Sequence, residues 1–101
     1  MARFYTAKAA TGTYSFGPLA SDEVVQVGQY DHPYYVNVSD LALGGGTCKV
    51  YISPTTTGSV WTVHTDVVAD GVVTVSTPCH RLKVTLTGAA AATLYCVCGR
   101  N

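Results

Sequence analysis

Short runs of β-branched and aromatic residues, separated by Gly, Pro, Asp and Thr turns, fill most of this 101-residue chain. Residues 23–28, 33–39, 47–53, 59–65, 71–76, 80–87 and 92–98 each alternate or run apolar over strand length, and a turn signal separates every pair. Residues 2–8 read as a further strand or arm, followed by a turn at Thr11-Gly12-Thr13. Alternation is clearest where Leu82, Val84 and Leu86 share one face and Arg81, Lys83 and Thr85 the other, so a one-residue slip would expose the whole apolar set. Cys48, Val50 and Ile52 likewise oppose Thr47, Lys49 and Tyr51, while Leu94, Cys96 and Cys98 oppose Thr93, Tyr95 and Val97. If these strands share a sheet, Tyr51 and Tyr95 stand on the same outward face as Lys49, Arg81 and Lys83.

Helical patterning is weak. Residues 38–43 are cut off by Gly44-Gly45-Gly46 and predict one 3₁₀ turn at most. The small residues 87–92 suit a hairpin between the last two strands and are too few for a stable helix. About seven or eight strands with a turn every 8–12 residues or so predict an all-β fold, an antiparallel β-sandwich or small barrel with jelly-roll or Greek-key connections. The length fits one domain, with residues 1–20 as an N-terminal arm or first strand and residues 21–101 as the β-sandwich core.

Only 12% of residues are charged, about half the usual 25% or so. Much of the outer surface must then be Thr, Ser, Gly, Ala and Tyr, which suits burial against neighbouring subunits. A formal net charge of zero leaves no basic excess for nucleic acid or anionic lipid. The N-terminus lacks the basic start and apolar run of a secretion signal, and no stretch approaches a membrane span, so synthesis in the cytoplasm is expected. Cys48, Cys79, Cys96 and Cys98 then read as free thiols that pack as small hydrophobes.

Candidate chemistry is sparse. Cys79-His80 with Cys96 and Cys98 offers zinc-type ligands, but C-x-C spacing on one strand lacks the knuckle of a structural zinc site. Asp22, Asp40, Asp66 and Asp70 sit in or beside turns, where carboxylates bond local backbone N–H groups. No G-x-S-x-G elbow is present, and Gly44-Gly45-Gly46-Thr47 lacks both the G-K-[ST] ending and the following helix of a phosphate loop. The reading is therefore not an enzyme, with no catalytic residue, metal or cofactor. Trp61 reads as core. Tyr30, Tyr34 and Tyr35 bracket Asp31-His32-Pro33, and with Trp61 they could instead form a stacking platform for a glycan, the alternative of a carbohydrate-binding module.

The second half carries Lys49-Val50-Tyr51-Ile52-Ser53, Ser59-Val60-Trp61-Thr62-Val63, the Arg81-Leu82-Lys83-Val84-Thr85 strand and a closing Gly/Ala hairpin into Leu94-Tyr95. This arrangement resembles small β-sandwich accessory proteins of tailed bacteriophage virions. The resemblance implies a structural protein of the virion: a capsid decoration or cement subunit, or a tail, neck or fibre-attachment accessory subunit. Its partners would be a phage capsid or tail protein and further copies of itself in a homo-oligomer, not nucleic acid or membrane. Phe4, Tyr5, Tyr14 and Phe16 stand as anchors of an arm reaching a neighbour. Tyr51, Arg81, Lys83 and Tyr95 join them as outward candidates, since Tyr and Arg are favoured at interfaces.

Overall fold

The computed structural model describes residues 12–28 and 31–100, and every regular element in them is a strand. These are β1 (Gly12–Phe16), β2 (Val25–Gln26), β3 (Asp31–Ala42), β4 (Thr47–Ser53), β5 (Thr62–Asp66), β6 (Gly71–Val75), β7 (Arg81–Thr87) and β8 (Ala91–Arg100). They form two four-stranded antiparallel sheets, ordered β1-β8-β3-β6 and β2-β7-β4-β5. The order follows from one folded ribbon. With its apex between β4 and β5, the chain pairs β4 with β5, β3 with β6, β2 with β7 and β1 with β8. Successive pairs fall alternately into the two sheets, and the β3–β8 and β4–β7 ladders close each sheet. That connectivity is a jelly roll, the double-sheet solution that eight antiparallel strands reach by rolling up a long hairpin.

Period-two alternation decides what lies between the sheets. Val36, Val38, Leu94, Cys96 and Cys98 point in from the first sheet, and Cys48, Val50, Leu82 and Val84 from the second. Phe16 and Tyr34 supply the bulk in this otherwise small-residue core. Tyr34 tolerates burial because its hydroxyl donates to the Val27 carbonyl at 2.8 Å.

Local differences from the sequence reading have physical causes. Residues 38–43 do not form a 3₁₀ turn. Residues 38–42 continue β3, which bulges between Ser39 and Ala42 with Asp40 at φ 54° and Asp70 Oδ1 accepting from the Leu41 N–H at 2.9 Å, and Leu43 opens the glycine turn. The bulge breaks strict alternation and so imitates helical spacing. Of the turn expected at Thr11-Gly12-Thr13, Thr11 lies outside the described residues, and Gly12 and Thr13 open β1, whose five residues all pair with β8. Phe16 and Leu19 are then buried, and the Leu19 N–H donates to the Leu94 carbonyl at 2.8 Å. Among the described residues β1 is thus part of the sandwich, which agrees with residues 1–20 holding a first strand, while residues 2–8 lie outside the described residues.

The glycine triplet is a turn held within the chain. The Gly46 N–H donates to the Leu43 carbonyl at 2.7 Å, and a Cβ on Gly46 would overlap the backbone of the β7–β8 turn at the Thr87 carbonyl.

Candidate interaction surface

The outer faces of the two sheets differ in kind. Ladder register sets the first face in rows. Ser15 lies opposite Val97, Val97 opposite Tyr35, and Tyr35 opposite Thr74. A second row runs from Tyr95 to Asn37 to Val72, with Thr93 and Ser39 paired beyond it. Strand alternation turns these side chains away from the core, because their neighbours Cys96, Cys98, Val36, Val38 and Val75 all point inward. No residue in either row is charged. Tyr35 and Val72 are exposed, and Tyr95, Val97 and Asn37 are half-buried.

The face of the other sheet carries the charge and consumes it internally. The loop of residues 54–61 between β4 and β5 has no ladder of its own, so its carbonyls need other donors. Arg81, only 4% exposed, supplies them. Its Nε donates to the Thr55 carbonyl at 2.7 Å, and Nη2 lies within 3.0–3.1 Å of the Thr57 and Gly58 carbonyls and the Ser53 and Thr55 hydroxyls. Gln26 Nε2 donates to the Thr56 carbonyl at 3.2 Å, so two side chains satisfy four successive loop carbonyls.

Trp61 closes this arrangement from above. Its ring lies 4.6 Å from the Arg81 guanidinium carbon and 4.3 Å from Lys83 Nζ. Lys83 Nζ also stands 5.5 Å from the Tyr51 ring and 3.8 Å from Asp22 Oδ1, while Lys49 pairs with Asp66 at 3.2 Å. Trp61 is thus half-buried on the outer face and not in the core. It precedes β5, and a register shift between Val50 and Tyr51 moves that strand off a simple alternation.

The candidate residues from sequence fall into separate places. Tyr51, Arg81 and Lys83 do come together, but the Arg81 donors are spent within the chain and offer a partner little. Tyr95 is on the opposite sheet from them, since β8 pairs with β1 and β3 and never with β7. Tyr14 is half-buried and packs on the core, while Phe16 is inside it, so these two belong to the sandwich and not to a projecting arm. Phe4, Tyr5 and Tyr30 lie outside the described residues. Sequence reasoning missed Val97, Asn37 and Val72 as co-facial with Tyr35. Their alternation was visible, but which strands neighbour each other was not.

The thiols are core residues. Burial pushes the Cys79 thiol up to about 11 and raises Cys48 as well. Cys96 is raised as well, first by its hydrogen bond to Cys98 and then by burial. Among the described residues no three His, Cys, Asp or Glu side chains stand close enough to share a metal ion, so Cys79, His80, Cys96 and Cys98 do not converge on one centre.

By fold, the chain is a small jelly-roll β-sandwich. No protein-family model matches it, and comparison with curated proteins and with solved structures finds no match among either.

Proposed function

We propose that this chain is a non-catalytic structural subunit that packs into a larger assembly through the uncharged outer face of its β1-β8-β3-β6 sheet. The assembly we propose is a tailed-phage particle, with the chain as a capsid decoration or cement subunit. The observation that carries the reading is the sidedness of charge: Lys49, Lys83, Arg81, Asp22 and Asp66 meet on or beside one sheet, while the Tyr35, Tyr95, Val72 and Val97 face has none. A face of Tyr, Val, Thr and Asn can be desolvated without stranding a charge, which is the usual composition of an interface centre. A subunit that binds only the assembled lattice stabilises it by mass action at every occupied position.

Jelly rolls serve viral shells, lectins and cupins alike, so the fold by itself supports no single one. Two features weigh against the glycan platform. Tyr34 is buried with its hydroxyl bonded to Val27, and the Trp61 ring is taken up by Arg81 and Lys83.

The test is co-sedimentation of the purified chain with virions produced without it. Saturable pelleting of the natural chain, and loss of pelleting for Tyr35→Glu or Val97→Glu variants that melt normally, is the expected outcome. A natural chain that stays in the supernatant, or variants that pellet equally, would overturn the proposal.

A further inference from the structure

Cys96 and Cys98 place two thiols on one face of a strand that is paired on both sides. On β8, Cys96 lies opposite Phe16 of β1 and Val36 of β3, and Cys98 lies opposite Tyr14 of β1. Strand alternation turns both side chains to the same inward side, where they are 0% and 1% exposed. The two thiols are hydrogen-bonded. Cys96 S–H donates to the Cys98 sulfur, which holds Cys98 below its ordinary value and Cys96 above. Cys79 packs in the same core cluster and lies near enough to raise Cys96 further.

This spacing suits a ligand pair better than a disulfide. Two residues along an extended strand separate the Cα atoms by about 6.6 Å, near the top of the range that a disulfide spans. Closing that bond would pull Val97 out of its ladders with Ser15 and Tyr35.

The donor set then selects the ion. A structural zinc takes four donors, and among the described residues no three His, Cys, Asp or Glu side chains are grouped to hold a metal. Copper(I) is soft and favours thiolate sulfur, and two such ligands in a near-linear arrangement satisfy it. A monovalent ion also loses less hydration than a divalent one on entering an apolar core.

Access comes from one end of the sandwich. A cavity of ≈220 Å³ bordered by Thr13, Pro33 and Tyr35 reaches Cys98, and one of ≈300 Å³ bordered by Tyr34, Pro78 and His80 reaches Cys79. His32 borders both. Cys48 lies on β4, in the other sheet.

We propose that Cys96 and Cys98 form a two-coordinate copper(I) site in the core of the sandwich, reached from the His32 end. Binding is ligand exchange with no change of oxidation state. The ion enters already reduced, one Cu–S bond forms to each sulfur, and each thiol releases its proton to solvent, so two protons leave per ion. The proton now lying between the sulfurs marks the position that the ion takes. The site faces the core and uses none of the outer rows proposed to meet a partner.

Anaerobic titration of the full chain with copper(I) held by a coloured bidentate chelator tests this. One equivalent should pass from chelator to protein, with a sulfur-to-copper charge-transfer band in the ultraviolet. The melting temperature should rise, because an ion held only by the folded chain stabilises it. Cys96→Ala and Cys98→Ala should bind at least about a hundredfold more weakly, since losing even an outer partner of a ligand costs about 10–100-fold. Cys48→Ala should take up the ion as the natural chain does. No transfer to the natural chain would overturn the proposal, as would equal uptake by Cys98→Ala or loss of uptake in Cys48→Ala. A melting temperature lowered by copper(I) would overturn it without recourse to any variant, because it would mark the thiols of the unfolded chain as the ligands.

Discussion

Replacing Arg81 removes the donor set on which the β4–β5 loop depends. In the structure one guanidinium serves three carbonyls and two hydroxyls at 2.7–3.1 Å. Hydrogen bonds to a charged donor are each worth about 1.5–3 kcal/mol, so a plain sum would approach 10 kcal/mol. That sum overshoots, because Thr57 and Gly58 are exposed and their carbonyls can turn to water once released. The fully buried Ser53 hydroxyl keeps its bonds to Thr55 but loses its charged partner, the Thr55 carbonyl loses its 2.7 Å donor, and the Trp61 ring loses a cation from 4.6 Å. Arg81→Ala should therefore cost about 3–4 kcal/mol, in the range for breaking a buried polar network. For a domain of this size the melting temperature should fall by roughly 12–30 °C. Urea unfolding followed by the fluorescence of the single tryptophan checks it, since Trp61 sits on the affected group. Arg81→Lys keeps a cation beneath the ring without the planar fork and should recover less than half of the loss. A cost below about 1 kcal/mol for Arg81→Ala would refute the clamp, because a surface arginine behaves that way.

Other consequences are open to direct measurement. Burial holds the Cys79 thiol up to about 11 from an ordinary 9.0. The folded state thus keeps a proton that the unfolded chain gives up, so its contribution to stability is complete below pH 9 and is lost as pH rises toward 11. Urea midpoints at pH 8 and pH 10.5 should differ more for the natural chain than for Cys79→Ala, by about 2 kcal/mol; equal slopes with pH would count against the burial. Gly46→Ala forces a methyl into the Thr87 backbone, which cannot yield as a side chain would, and should cost at least about 2 kcal/mol. A melting temperature within about 2 °C of the natural one would mean that the turn relaxes freely. Tyr34→Phe leaves the Val27 carbonyl without its buried donor and should cost about 1–2 kcal/mol by the same urea titration.

Much of the fold was legible because strand periodicity is local. Residues 81–87 alternate so strictly that face assignment needed no knowledge of neighbours, and Leu82 and Val84 are fully buried as the pattern requires. Legibility failed where geometry is set by a residue distant in sequence. The β3 bulge depends on Asp70, far along the chain from Leu41. Arg81 looked like an outward anchor because its alternation is outward; what buries it is a loop from the far side of β4, which no periodicity in residues 80–87 could reveal.

The same distinction explains why the candidate surface had to await the strand order. Tyr95 and Arg81 have equivalent outward phases in their own strands, and in a flat listing of strands they look like neighbours. Rolling the hairpin sends β8 to one sheet and β7 to the other, so the two residues end on opposite sides of the molecule. Low charge is a property of the whole composition, but its consequence is local. Several of the charges gather where an irregular loop needs donors and where Lys49 and Lys83 have carboxylate partners, whereas the two outward rows of the first sheet, through Tyr35 and Val97 and through Tyr95, Asn37 and Val72, carry none. Desolvating those rows requires no ion to be stripped of water, whereas desolvating the other face would disturb Lys83, its two aromatic neighbours and Asp22 together. On the proposed reading, association prefers the side of Tyr35, Tyr95, Val97 and Val72, because these rows hold no ion that must be stripped of water.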